Sequence, residues 1–138
     1  MALTARYLAD KSALGRFPHP KVTARLRPLL EEGLMATCAI IDLEVLYSAR
    51  GLDEYEAVLE EREVLEDAPI TPDVMREAIA VQHQLARAGK HRVPIPDLII
   101  AAAAQISDLV VLHYDADFEL ISKVTGQAHE WIAERGTL

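Results

Sequence analysis

The segment IPDLIIAAAAQISDLVVLHYDADF, residues 95–118, sets a helix, a strand and a pair of acids in close succession. Pro96 and Asp97 open a helix, since proline fits a first helical turn and an acid there is favoured by the dipole. Residues 98–104 are apolar on every side of that helix, a pattern that belongs to a helix surrounded by protein. Residues 109–112 form a continuous apolar run, as in a central parallel strand covered on both faces. Asp115 and Asp117 follow at once. A buried helix feeding a buried strand is the repeating unit of an α/β protein.

The same alternation extends outward. Residues 6–9 are a short apolar run ending at Asp10 and predict a first strand, with Ser12 as cap of a short helix that Pro18 and Pro20 break. A helix follows from near Pro20, with Val22, Leu26, Leu29 and Leu30 at helical spacing and Gly33 as its stop. Residues 34–38 predict a second strand. Thr37 is the expected N-cap of the next helix, whose apolar face is Ile40, Ile41, Leu43, Leu46 and Tyr47. Residues 53–65 set Tyr55, Val58, Leu59 and Leu65 against acids in an amphipathic helix, and residues 68–70 are a short extended piece. Thr71 and Pro72 start a helix that runs to about Ala88, where Gly89 closes it; residues 90–94 are a basic loop. A short helix over 118–124 and a last strand over 130–132 complete the order. The fold class expected is a three-layer α/β/α sandwich with a mainly parallel central sheet, in one domain over residues 1–138.

Composition narrows the function. Of 138 residues 51% are hydrophobic, which excludes a disordered chain, and the aromatic share of 5% leaves an aliphatic core. The single Cys38 cannot form an internal disulfide. No apolar stretch is long enough to span a bilayer, and no signal peptide is legible at the start, so the expectation is a cytoplasmic protein without a membrane partner. The formal charge of −8 disfavours general nucleic-acid binding, because phosphate affinity comes from Lys and Arg. The charges are unevenly spread, however. Residues 1–30 carry Arg6, Lys11, Arg16, Lys21, Arg25 and Arg27 against Asp10 alone, whereas residues 53–67 carry eight acids against Arg62. One region can therefore meet a polyanion, or the two runs are simply solvated helix faces of opposite sign.

In a parallel α/β sheet the working site lies at the carboxyl ends of the strands. Asp10 follows the first strand, Asp115 and Asp117 follow the late strand, and Asp97 opens the helix leading into it. Glu44 sits among apolar residues in the helix after the second strand. Singly these are caps, turns or a solvated face; jointly they converge on one sheet edge with only Lys11 close by to oppose them. Carboxylates so crowded must protonate unless a cation neutralises them. A hard ion with oxygen ligands, Mg²⁺ or Mn²⁺, fits the donor set and suits phosphoryl chemistry, with one ion or a pair ~3.5–4 Å apart. The glycines are too scattered for a phosphate loop, the five histidines show no ligand pairing, and His113 is a site-edge or packing residue.

With these residues in view the chain resembles the PIN-domain ribonucleases of the VapC toxin type over nearly its whole length. The resemblance rests on YLADKSAL (7–14), IDLEVLY (41–47), IPDLIIAA (95–102) and HYDADF (113–118), in that order and spacing. It implies a Mg²⁺- or Mn²⁺-dependent endoribonuclease, the toxin of a type II toxin–antitoxin pair, cleaving tRNA or rRNA. Asp10, Glu44, Asp97 and Asp115 match the family's acidic quartet, Asp117 is an auxiliary metal ligand, and Ser12 matches a site hydroxyl. Lys11 departs from the threonine usual there. The resemblance also implies a homodimer and a VapB-type antitoxin whose arm blocks the site. Lys90 and Arg92, before Asp97, and Arg16 in the early basic region are the expected RNA contacts. The other classes weighed are a catalytically silent PIN-like module, which would have lost some of these acids, and a phospho-receiver or aspartate phosphatase, which would want a second acid near Asp10 where Lys11 and Ser12 stand.

Overall fold

In the computed structural model, which describes residues 3–138, five parallel strands make one sheet: β1 (Tyr7–Ala9), β2 (Met35–Thr37), β3 (Glu66–Asp67), β4 (Val110–His113) and β5 (His129–Trp131). They lie in the order β3-β2-β1-β4-β5. β1 pairs with β2 on one side (Leu8 with Ala36) and with β4 on the other (Leu8 with Val111). The strand order reverses between β1 and β4, which is where an open α/β sheet leaves a crevice. Every strand is therefore joined to its successor by a crossover through helix, and the helices cover both faces.

Period-2 alternation divides the strands between the faces. Leu8, Ala36 and Val111 join the core formed by α3 (Ala39–Tyr47), α5 (Pro72–Arg87), α6 (Ile95–Ile106) and α7 (Ala116–Thr125). Ala9, Met35 and Leu112 join the smaller core of α1 (Lys11–Leu14) and α2 (Pro20–Glu31). α6 is buried continuously from Asp97 to Ala104, as its all-round apolarity predicts. Its four consecutive alanines leave room for α5, α7 and the sheet to close on it, and Phe118 fills the space under α7.

Several boundaries are local and match the sequence. Thr71 caps α5 with a bond from the Val74 amide at 3.2 Å, and Pro72 occupies the first turn. Thr71→Ala removes the side-chain acceptor that holds the Val74 amide. It should lower unfolding free energy by ~1 kcal/mol, measured by denaturant titration; no change would mean that water replaces the hydroxyl fully.

Other expectations are corrected. Thr37 does not cap α3; it ends β2, where its carbonyl accepts the Ala68 amide at 2.7 Å, and Cys38 takes the cap position without a side-chain bond. The Thr37 hydroxyl instead donates to Asp42 at 2.6 Å and accepts from Arg62 at 2.7 Å. Likewise Asp10, not Ser12, caps α1. The extended piece placed at 68–70 is β3 at Glu66–Asp67, because pairing with Ala36 and Thr37 sets the register. In α3 only Ile41 and Leu46 are buried, while Leu43 and Tyr47 stand 63% and 91% exposed. That helix is apolar nearly all round, so periodicity cannot say which side packs. α4 (Leu52–Glu63) has no buried residue, and its Tyr55 is exposed.

Candidate metal centre

The acids reach one place because three helix starts do. Asp10 leaves β1 at the strand's carboxyl end, held there by its amide bond to the Leu112 carbonyl at 2.9 Å. Its Oδ2 accepts the Ser12 amide at 3.0 Å and starts α1. Asp115 leaves β4 and caps α7, its Oδ1 accepting the Asp117 amide at 2.9 Å. Asp97 lies in the first turn of α6. Unpaired amides at helix starts favour carboxylates, so the backbone itself draws negative charge to this edge.

Asp97, Asp115 and Asp117 each offer an oxygen, and these three atoms lie within 4.8 Å of one another. Burial, and then the charges of Asp10, Asp115 and Asp117, push the Asp97 carboxyl up to about 8. Asp117 is pushed up as well, by burial first and by Asp115 second. Glu44 approaches from α3 and stands outside this trio. Its Oε2 pairs with Lys11 Nζ at 3.2 Å, and the Lys11 ammonium is held above its ordinary range first by that bond.

Among the described residues, two buried carboxylate oxygens have no hydrogen-bond partner: Asp10 Oδ1 and Glu44 Oε1. A buried acceptor without a donor is costly unless something else supplies positive charge. The donor set is carboxylate oxygen throughout, so it fits a hard divalent cation and not a soft one. The residues present thus fit a metal, Asp97, Asp115 and Asp117 with Asp10 being those able to hold it.

Around the acids the support is specific. The Ser12 hydroxyl accepts the Tyr114 amide at 2.9 Å and so ties α1 to the end of β4. His113 is fully buried, and its role was not legible in the sequence beyond packing or site edge. Its Nδ1 accepts the Asp115 amide at 3.1 Å, and its Nε2 meets His129 Nδ1 at 2.9 Å. Burial first, and His129 second, lower its pKa to about 4, so it stays neutral and able to accept that amide. His113 therefore positions Asp115. Lys90 and Arg92 stand exposed on the loop leading into α6, with no bond to the acids. Arg16 is engaged already, donating to the Ser12 carbonyl at 2.8 Å and lying over the Tyr114 ring at 4.6 Å.

A parallel sheet with carboxylates gathered at its switch point is the architecture of a PIN-type nuclease. The PIN domain family model matches residues 7–124. The chain is 45% identical over 137 residues to Ribonuclease VapC21 of Mycobacterium tuberculosis, covering 98% of this chain and 99% of that one. It is 41% identical over 136 residues to Ribonuclease VapC51 of the same species, covering 99% of both. Among solved structures it is similar to VapBC-5 of Mycobacterium tuberculosis, a member of the VapBC family of toxin–antitoxin systems, with a TM-score of 0.64, 26% identity and 92% of this chain and 97% of that one covered. DNA-bound VapBC from Salmonella typhimurium shares the fold, with a TM-score of 0.75 at 20% identity over 94% of this chain and all of that one. The chain belongs to the PIN-domain family, and within it to the VapC ribonucleases.

Proposed function

We propose that this protein is a Mg²⁺- or Mn²⁺-dependent endoribonuclease, the toxin of a type II toxin–antitoxin pair, acting in the cytoplasm on tRNA or rRNA. The observation that supports it best is the trio of Asp97, Asp115 and Asp117 beside the unpartnered Asp10 Oδ1. In this reading Asp10, Asp97, Asp115 and Asp117 hold the ion, and Asp10, Glu44, Asp97 and Asp115 form the catalytic set. The ion, when bound, supplies activation of water and stabilisation of charge on a phosphoryl oxygen. Asp115 is held in place by His113 through its amide, Asp10 by the Leu112 carbonyl, and Glu44 by Lys11. These supports fix the carboxylates before substrate arrives, which is what positioning requires.

The partners proposed are a VapB-type antitoxin, in keeping with the solved VapBC relatives, and a second copy of the chain; residues 1–138 are taken as one domain. An antitoxin arm that is basic would meet the uncompensated acids, with association that is sensitive to salt. The test of activity is cleavage of total cellular RNA by the purified protein with Mg²⁺ or Mn²⁺, cut sites mapped, and loss of cleavage in a chelator. Cleavage unaffected by the chelator would overturn the metal reading.

The acids repel phosphate, so RNA affinity must come from a positive surface elsewhere. Lys90 and Arg92 are exposed, free of acids, and lie on the chain immediately before Asp97. Each lost phosphate contact should lower the slope of log affinity against log salt by roughly 0.7–0.9. Lys90→Ala and Arg92→Ala together should therefore weaken RNA binding and flatten its salt dependence, leaving metal affinity unchanged. Binding to an inactive variant across a salt series measures it. An unchanged slope would move the RNA surface to Arg16 and the early basic residues.

A further inference from the structure

We propose that the Lys11 ammonium is a built-in cation on the Glu44 side of the acidic site, so that the site takes one divalent ion and not two. The inference rests on the metal-dependent reading above. The five acids divide into two groups. Asp97, Asp115 and Asp117 bring their oxygens within 4.8 Å of one another, whereas Glu44 lies outside that trio. Glu44 is satisfied on one oxygen only, by Lys11 Nζ at 3.2 Å, and its other oxygen is buried without a partner among the described residues.

A second ion would need a ligand beyond the set that holds the first, and at this edge that is Glu44, with Asp10 shared between the two. Both carry an unpartnered oxygen, so the ligands for a second ion exist. The space next to Glu44, however, already holds a unit positive charge. An ammonium has three donors and no lone pair, so it cannot become a ligand and can only repel an incoming ion. Repulsion between a divalent ion and an ammonium is twice that of a unit pair at the same distance, and burial on the Glu44 side, whose side chain is only 17% exposed, weakens screening.

Lys11 is also well fixed for this task. It is the first residue of α1, directly after Asp10, so the backbone that positions a proposed metal ligand positions the lysine too. Its side chain is 58% exposed, so it pairs with Glu44 without being buried itself. Lys11 is in this sense a positioning residue. It neutralises Glu44 without an ion and keeps positive charge on that side of the site.

The experiment is a titration of the purified full-length chain with Mn²⁺, free ion being read from the electron paramagnetic resonance signal of aqueous Mn²⁺. The wild type should bind one ion per chain. Lys11→Met and Lys11→Thr should each bind two, since Glu44 becomes available, and Lys11→Arg should return to one. Glu44→Gln added to Lys11→Met should also return to one. Circular dichroism establishes that each variant is folded, and the two neutral replacements differ enough that one folded variant suffices. Two ions in the wild type, or one ion in a folded Lys11→Met or Lys11→Thr variant, would overturn the proposal. No bound ion in the wild type would instead overturn the metal-dependent reading beneath it.

Discussion

Asp97→Asn lowers RNA cleavage by at least about 10²-fold, about 2.7 kcal/mol of lost transition-state stabilisation, while leaving the protein folded. The amide keeps the size of the carboxylate but presents one neutral oxygen to a hard cation, and one fewer negative charge to hold it. Removing the charge does not harm the metal-free fold. Asp97 is buried beside three other carboxylates, and its pKa of about 8 means that the native protein already prefers it neutral near pH 7. Thermal unfolding without metal should therefore be unchanged or higher in the variant. Loss of activity with gain or retention of stability separates a site residue from a core residue. Cleavage by Asp97→Asn at the wild-type rate in Mg²⁺ would remove Asp97 from the site.

The metal-free protein loses stability as pH rises from 6.5 to 8, and a divalent ion reverses the loss. Asp97 goes from an ordinary value of 3.8 to about 8 on folding, so between these values the native state keeps a proton that the unfolded chain has released. Stability from this group is complete below about pH 4 and is lost as pH climbs through 8, with a slope of up to ~1.4 kcal/mol per pH unit. His113 acts oppositely over part of that range. Its pKa falls from 6.5 to about 4 on folding, so the unfolded chain holds the extra proton and stability rises with pH between these values. The two slopes oppose each other between about pH 4 and 6.5, and of these two only the Asp97 slope continues above 6.5. Denaturant titrations at pH 6.5, 7.25 and 8 in chelator should show the decline, and Asp97→Asn should flatten it. Mg²⁺ or Mn²⁺ at 100 times its dissociation constant should add ~2.7 kcal/mol, and the apparent affinity should tighten with pH as protons leave the ligands. A metal-free stability that is flat across this window would mean that Asp97 is ionised in the fold.

Much of the site follows from local sequence. Asp10, Asp97, Asp115 and Asp117 stand at element ends, and an element end is marked by residues next to it: the proline before Asp97, the apolar run before Asp115. Parallel α/β topology then brings such ends to one edge without further information. The burial of α6 was legible too, because a helix apolar on all sides has no other way to avoid water.

Local residue patterns alone therefore carried the alternation of strand and helix, the buried helix–strand unit at 96–112, and the acids beside the element ends. Tertiary structure alone decided the rest. Thr37 looked like a cap until pairing with Asp67 kept it in the sheet. Leu43 and Tyr47 looked like core until packing turned Ile41 and Leu46 inward instead. Lys11 and Glu44, 33 positions apart, became an ion pair only when α1 and α3 met, and His113 became the support of Asp115 only under His129. In each case the outcome depends on which residues distant in the chain become neighbours. Local propensity is silent on that, since the energies of packing, pairing and desolvation arise only once both partners are in place.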